Sequence, residues 1–251
     1  MAPRSGTGAE PHREERVSTT FEKRVAAGVP LLLARPEGRG GPLPLVLWFH
    51  GFGVDKEVHR PELERIAEAG FLAVGVDAAG HGERRLPDLD ARIDAPREEA
   101  LRTAVDLAAR TAVEVPAVVR MLAEEGLADA GRVAVAGISM GGYLVYGAVV
   151  AEPSIRAAVA ILGSPEWPRP DSPHLRPEGF YRVALLSITA ERDENVPPGP
   201  AREFHRRLAA GHPEPARARY LELPGAVHLM NAADWAVTMD ETIRWLARHA
   251  G

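Results

Sequence analysis

The sequence contains no cysteine among its 251 residues. Disulfide bonds, zinc sites built on thiolates and a thiol nucleophile are therefore excluded. Aromatic residues make up only 6% of the chain, and no apolar run approaches the ~20 residues that cross a bilayer. Positive charge is not in excess either, because the formal net charge is -5. We therefore expect neither a nucleic acid nor a membrane as a partner.

The amino-terminal stretch is also poor in apolar side chains. Residues 1–16 lack the apolar segment of a secretory signal, and this composition predicts a disordered tail in a cytoplasmic protein. Residues 17–251 are long enough to bury a sizeable core, so we expect a single domain there. The sequence leaves the oligomeric state open.

Short apolar runs alternate with amphipathic stretches over most of the chain. A hairpin around Gly28 is predicted first, within residues 21–35. Predicted strands follow at 45–49, 71–76, 132–138, 155–162, 183–189 and 218–223, and predicted helices at 61–69, 97–125 (kinked or broken at Pro116), 140–151, 200–210 and 235–249. This alternation predicts an α/β fold, with a doubly wound and mostly parallel sheet.

One segment has no regular period. Residues 164–182 contain five prolines together with Trp167, Phe180 and Tyr181. Loops of this length inside compact domains are usually functional, so we interpret the segment as a short lid. Its three aromatic side chains are then candidate walls of a substrate pocket. The alternative is a surface connection whose aromatic residues pack on the core.

The strongest motif in the chain is Gly137-Ile138-Ser139-Met140-Gly141. It directly follows a predicted strand and directly precedes a predicted helix, which is the context of a nucleophile elbow. A sharp turn of this kind lifts the serine hydroxyl above the sheet and requires small neighbours on either side. Ser139 is therefore the candidate nucleophile, and the alternative is a chance Gly/Ser turn.

A serine hydroxyl needs a base, and the base needs an orienting acid. His228 follows the last predicted strand, where this arrangement places its histidine. Asp193 follows the preceding strand, and we favour it over Glu191 and Glu194 because of its distance from the strand end. The predicted triad is thus Ser139, His228 and Asp193.

Two backbone amides are expected to bind the oxyanion of the tetrahedral intermediate. One belongs to Met140, the residue after the nucleophile. The other should come from His50-Gly51-Phe52-Gly53, the loop after the first buried strand, and we assign it to Phe52. The alternative is a plain glycine-rich turn.

Taken together, these motifs and Asp77-Ala78-Ala79-Gly80-His81-Gly82-Glu83 resemble those of α/β-hydrolases over residues 43–248. The chain looks most like the dienelactone-hydrolase-like and prolyl-oligopeptidase-like bacterial esterases. Dienelactone hydrolases proper use a cysteine nucleophile, so a serine at position 139 argues against dienelactone hydrolase activity. The resemblance further implies that His81 shapes the rim of the site and that the His50 side chain supports the oxyanion loop.

The resulting expectation is a serine carboxylesterase acting on small-molecule esters of short to medium acyl chains through an acyl-enzyme. A small peptidase, amidase or thioesterase with the same triad is an alternative, and so is a non-catalytic binding protein on this fold. The sequence contains no HExxH, no P-loop and no strand-linked GxGxxG. We therefore expect neither a metal nor an organic cofactor.

Overall fold

A single sheet of eight strands runs through residues 18–251, the part of the chain that the computed structural model describes. The predicted tail at 1–16 lies outside these residues. The strands are β1 (Thr19–Ala26), β2 (Val29–Pro36), β3 (Leu43–Phe49), β4 (Leu72–Val76), β5 (Ala128–Ile138), β6 (Ile155–Ile161), β7 (Ala184–Ala190) and β8 (Ala218–Leu223). Their spatial order is β1-β2-β4-β3-β5-β6-β7-β8.

The sheet is mostly parallel, as predicted. Every pairing among β3 to β8 is parallel, whereas β2 pairs antiparallel with both β1 and β4. The predicted hairpin is confirmed as β1 and β2. Ala27 and Gly28 both have positive φ, at 52° and 77°, which matches the tight turns that join two strands.

Seven helices of the described chain cover the two faces of the sheet. They are α1 (Arg60–Glu68), α2 (Leu89–Ile93), α3 (Arg97–Ala112), α4 (Val115–Glu124), α5 (Met140–Ala151), α6 (Gly199–Gly211) and α7 (Ala232–Ala250). Helices α1 and α7 pack on one face, and α3 to α6 pack on the other. β3 illustrates the layering, because Leu45 and Leu47 belong to one core while Val46 and Trp48 belong to the other.

The long stretch predicted as one kinked or broken helix is broken. α3 ends at Ala112 and α4 begins at Val115, with Pro116 in the first turn of α4. Proline is tolerated there because the first amide groups of a helix have no partner within it.

The interpretation of residues 164–182 as a lid stays a prediction, but much of the segment packs on the core. The segment forms two short 3-10 turns (Pro173–Leu175 and Pro177–Phe180) that pack against α5 and α6. The Phe180 ring is fully buried, with its centroid 5.1 Å from that of Phe204 and 6.2 Å from that of Tyr146. Its aromatic side chain completes the core, which was the alternative explanation.

The connections that follow the carboxyl ends of β3, β4, β5, β7 and β8 meet at one edge of the sheet, because these strands are parallel. Ligands of open α/β sheets bind at this edge. Within residues 18–251, no helix combines the length and the apolar character needed to span a membrane.

Candidate active site

Ser139 lies in a strained turn between β5 and α5. Its backbone has φ 56° and ψ -116°, a conformation that costs a non-glycine residue roughly 1–3 kcal/mol. The Ser139 amide donates to the Ile161 carbonyl oxygen at 2.9 Å, and the Ser139 carbonyl oxygen accepts from the Tyr143 amide at 3.0 Å. The end of β6 and the first turn of α5 therefore hold the elbow in place.

The two glycines of the motif are required by close backbone packing. A Cβ on Gly141 would lie 2.1 Å from the Phe49 carbonyl oxygen, and one on Gly137 would lie 2.5 Å from the Gly141 carbonyl oxygen. Both separations are far inside van der Waals contact. This is the steric reason for the spacing Gly-x-Ser-x-Gly.

The three residues of the predicted triad are within hydrogen-bonding distance of one another. The Ser139 Oγ atom is 3.0 Å from His228 Nε2, and His228 Nδ1 is 2.8 Å from Asp193 Oδ2. With its proton on Nδ1, the imidazole donates to the carboxylate and leaves Nε2 free to accept from the serine hydroxyl. The arrangement is that of a general base poised on a nucleophile.

The Asp193 carboxylate is held by its own loop. Its side chain is fully buried, and its Oδ1 atom accepts from the amides of Asn195 (2.9 Å) and Val196 (2.8 Å). These bonds keep Oδ2 directed at His228. Sequence reasoning favoured Asp193 over two neighbouring glutamates, and the structure places only Asp193 against the histidine.

Glu191 has a different contact, at the turn that carries His228. Its Oε2 atom accepts from the Gly225 amide at 2.6 Å, and the Arg192 amide donates to the Ala226 carbonyl oxygen at 2.9 Å. The loops after β7 and β8 are thus joined to each other. This junction fixes the distance between the acid and the base.

The loop after β3 approaches the nucleophile closely. A Cβ on Gly51 would lie 3.8 Å from the Ser139 Cβ atom, and Phe52 and Met140 line the same cavity as Ser139. The structure therefore brings both predicted oxyanion residues to the nucleophile. That their amides bind the oxyanion stays a prediction.

Two buried histidines join this loop to the loop after β4. His50 Nε2 accepts from the Ala78 amide at 3.0 Å, and His81 Nε2 accepts from the Gly53 amide at 3.1 Å. Burial lowers the pKa of His50 to about 3 and also lowers the pKa of His81. Both rings are therefore neutral near pH 7, as acceptors at Nε2 must be, and they hold the Phe52 loop from two sides.

A buried ion cluster, which the sequence analysis missed, ties down the same two loops. Lys56 Nζ lies 2.7 Å from Asp77 Oδ2 and 2.8 Å from Glu83 Oε1. Lys56 and Asp77 are almost completely buried. Although burial opposes its charge, the hydrogen bonds to Asp77 and Glu83 hold the pKa of Lys56 above its usual value. The spacing of Lys56, Asp77 and Glu83 in the sequence does not match a motif that predicts this contact.

A cavity of about 700 Å³, here called the main cavity, opens beside Ser139 and His228. Most of its wall is apolar, and the ionisable side chains on it are those of Arg97, His59 and His228. The other lining residues are Gly51, Phe52, Val54, Val58, Ile93, Ala95, Ala100, Leu101, Ala104, Ile138, Met140, Tyr143, Asn195, Val196 and Leu229. One side of this wall comes from α2 and the start of α3, which the sequence analysis did not assign to the site.

The predicted pocket residues Trp167, Phe180 and Tyr181 do not line the main cavity. Phe180 belongs to the core, and the Tyr181 ring packs on His212 with the centroids 5.5 Å apart. Trp167 lines a separate, smaller cavity. Of the three, only Trp167 lines a cavity that shares wall residues with the main cavity, and its role in substrate binding stays a prediction.

Comparison with known proteins identifies the family of the chain. Residues 29–240 match the model of the dienelactone hydrolase family. The chain belongs to the dienelactone hydrolase family. Over 258 aligned residues it is 28% identical to YitV of Bacillus subtilis (strain 168), which carries a provisional esterase name, and the match covers 90% of this chain and 97% of YitV. It is also 30% identical over 145 residues to Esterase YjfP of Escherichia coli (strain K12), covering 57% of this chain and 55% of that protein.

Two solved structures show the same architecture. TT1662 from Thermus thermophilus superimposes with a TM-score of 0.72 at 26% identity, covering 91% of this chain and 98% of its own. A puromycin-hydrolyzing peptidase of Mycobacterium tuberculosis has a TM-score of 0.66 at 18% identity, with 96% of this chain covering 40% of that one. This second likeness shows the α/β-hydrolase fold alone. Family membership makes the chain a hydrolase of ester bonds.

Metal ligands are not clustered in the described residues. No group of three or more histidine and carboxylate side chains is placed to hold an ion between residues 18 and 251.

Proposed function

We propose that this protein is a serine carboxylesterase that acts through an acyl-enzyme. The observation that carries the proposal is the unbroken hydrogen-bonded series Ser139–His228–Asp193 at the wall of the main cavity. A serine in a strained elbow, in contact with an imidazole nitrogen that can accept its proton, is organised for nucleophilic attack.

In the proposed reaction, Ser139 Oγ attacks the ester carbonyl while its proton passes to His228 Nε2. The buried carboxylate of Asp193 stabilises the imidazolium that forms, and the amides of Phe52 and Met140 bind the oxyanion. His228 then protonates the departing alcohol. In the second half of the reaction, His228 takes a proton from water, which attacks the acyl-enzyme. The proton then passes from His228 to Ser139 Oγ as the acid is released.

The walls of the main cavity favour an apolar substrate of modest length. Each methylene that it buries gains ~0.8 kcal/mol only while the cavity has room for it. We therefore propose esters of short to medium acyl chains as substrates. A series of p-nitrophenyl esters from acetate to palmitate tests this, and kcat/KM should pass through a maximum and then fall.

The nucleophile is tested by labelling with a fluorophosphonate probe followed by peptide mapping. We expect modification at Ser139 and its loss in Ser139→Ala and His228→Ala. Ser187→Ala is the matched control, because Ser187 Oγ is also within hydrogen-bonding distance of a histidine, at 2.7 Å from His205 Nε2, but is fully buried. Labelling that survives Ser139→Ala would contradict the proposed mechanism.

A further inference from the structure

A second cavity, of about 320 Å³, lies against the main cavity. The two cavities share Leu101, Tyr143 and Val196 as a common wall. Tyr143 lies in the first turn of α5, four residues after Ser139. A substrate bound at the nucleophile is therefore separated from the second cavity by only one layer of side chains.

The rest of this wall is built of rings. Trp167, Pro168, Pro197 and Pro200 supply most of it, with Ser164 and Glu166 between them. The Trp167 indole is fixed in place, since its Nε1 donates to the Ser164 carbonyl oxygen at 3.2 Å. The backbone amide of Trp167 also donates to Ser172 Oγ at 2.7 Å. These flat walls are ordered before any ligand binds, which lowers the entropy cost of binding.

The two cavities differ in the sign of their charged groups. Glu166 is the one charged residue on the wall of the second cavity, whereas the main cavity has Arg97 and no carboxylate on its wall. The Glu166 side chain is exposed and forms no ion pair within residues 18–251. Its charge is therefore available to a ligand.

Building on the proposed function, we propose that the second cavity is a subsite for an ammonium group of the ester substrate. Glu166 supplies the opposite charge, and Trp167 and Tyr143 supply aromatic faces, which attract cations through the ring quadrupole. The substrate class is then an ester with an apolar part in the main cavity and an amine or quaternary ammonium group a few bonds from the scissile carbonyl.

The test compares matched cationic and neutral substrates. Butyrylthiocholine and 3,3-dimethylbutyl thiobutyrate differ by a nitrogen in place of a carbon, and a thiol reagent measures both products without interference because the protein has no cysteine. A second pair places the trimethylammonium group on the acyl side of a p-nitrophenyl ester. In one of the two pairs, kcat/KM for the cationic substrate should exceed that of its neutral partner by about 5-fold. This is the factor expected for an exposed ion pair with a cation–π contact.

Glu166→Gln should remove most of this preference while leaving kcat/KM for the neutral esters within about 2-fold of wild type. Glu178→Gln is the matched control, since Glu178 is an exposed glutamate of the same segment that lines neither cavity. Equal cation preferences in wild type and Glu166→Gln, for both pairs, would overturn the subsite.

Failure of the subsite can be separated from failure of the esterase proposal. Hydrolysis of the neutral esters by Ser139 tests the esterase proposal without involving Glu166. Binding of phenyltrimethylammonium to Ser139→Ala, measured by calorimetry, tests the subsite without catalysis. We expect binding that Glu166→Gln weakens by about 3-fold or more in that background, and an unchanged Kd would count against the subsite.

Discussion

Gly141 allows the end of β3 and the nucleophile elbow to touch, so Gly141→Ala should destabilise the protein severely. The added Cβ would lie 2.1 Å from the Phe49 carbonyl oxygen, 2.6 Å from the Phe49 carbonyl carbon and 2.9 Å from the His50 carbonyl oxygen. All three atoms are backbone, so no side-chain rotation relieves the contact. The strand end and the loop after it must move by about 1 Å to restore van der Waals distance.

Overpacking of this kind costs about 1–3 kcal/mol when side chains can adjust, and more when the backbone must move. We therefore expect a loss of about 4 kcal/mol in the free energy of unfolding. At about 2–4 °C per kcal/mol for a chain of this size, Tm should fall by roughly 8–16 °C. The shifted loop carries Phe52, so kcat on p-nitrophenyl acetate should fall about 100-fold, as expected when a catalytic group is displaced by 1 Å.

The matched control is Gly179→Ala. A Cβ at Gly179 would meet no atom within 4 Å, so its Tm should stay within about 2 °C of wild type. Differential scanning calorimetry of both variants, with steady-state kinetics on the same samples, measures the two effects. A Gly141→Ala protein that melts and turns over like Gly179→Ala would refute the steric account of the elbow.

Three further predictions concern the surroundings of the site. Lys56→Met leaves a buried carboxylate without its cation and should cost about 3–5 kcal/mol in urea unfolding. Lys23→Met removes only the contacts of a 62% exposed lysine with Glu57 and Glu83 and should cost about 0.5 kcal/mol or less. If both variants unfold alike, the cluster is not buried as described. Burial holds the pKa of His50 near 3 in the folded protein, whereas the same histidine takes up a proton near pH 6.5 in the unfolded chain. The free energy of unfolding should therefore fall as the pH drops below ~6.5, by up to ~1.4 kcal/mol per pH unit from this residue. Urea midpoints that do not change between pH 7 and 5 would contradict this. Ile93→Ala enlarges the main cavity and should move the best p-nitrophenyl ester to a longer acyl chain, whereas Trp167→Ala should leave that profile unchanged. The reverse outcome would place the wall that limits chain length on residues 164–182 instead.

Much of the fold could be predicted from hydrophobic periodicity. Strands buried on both faces, such as β3, appear as continuous apolar runs, and α5 begins and ends at the residues expected. The triad was also within reach, because each member lies on the connection that follows a strand and the order of strands places those ends together. In these cases, the local sequence is enough to predict where the residue lies in the fold.

The substrate-binding walls could not be predicted in this way. The choice between the segments after β4 and after β6 depends on the direction in which each leaves the sheet edge, and composition does not encode that direction. Trp167 and its prolines are typical of a lid, yet they pack beside α5. By contrast, Ile93 lies in a five-residue helix that is too short to show a period. Lys56 was missed because its partners are 21 and 27 residues away in the chain.

The wall of the main cavity formed by α2 affects how the substrate range of this enzyme can change by mutation. It lies on a single excursion of the chain between β4 and α3, after a turn in which the Leu86 amide donates to the Gly80 carbonyl oxygen at 3.0 Å. The nucleophile, base and acid are on other connections. Residues 87–96 therefore form a cassette that can be exchanged for a longer or shorter one without changing the register of any strand. The α2 wall and the catalytic triad are therefore encoded by separate segments of the chain. Mutant libraries confined to residues 87–96 should change substrate selectivity and leave the reactivity of the triad unchanged.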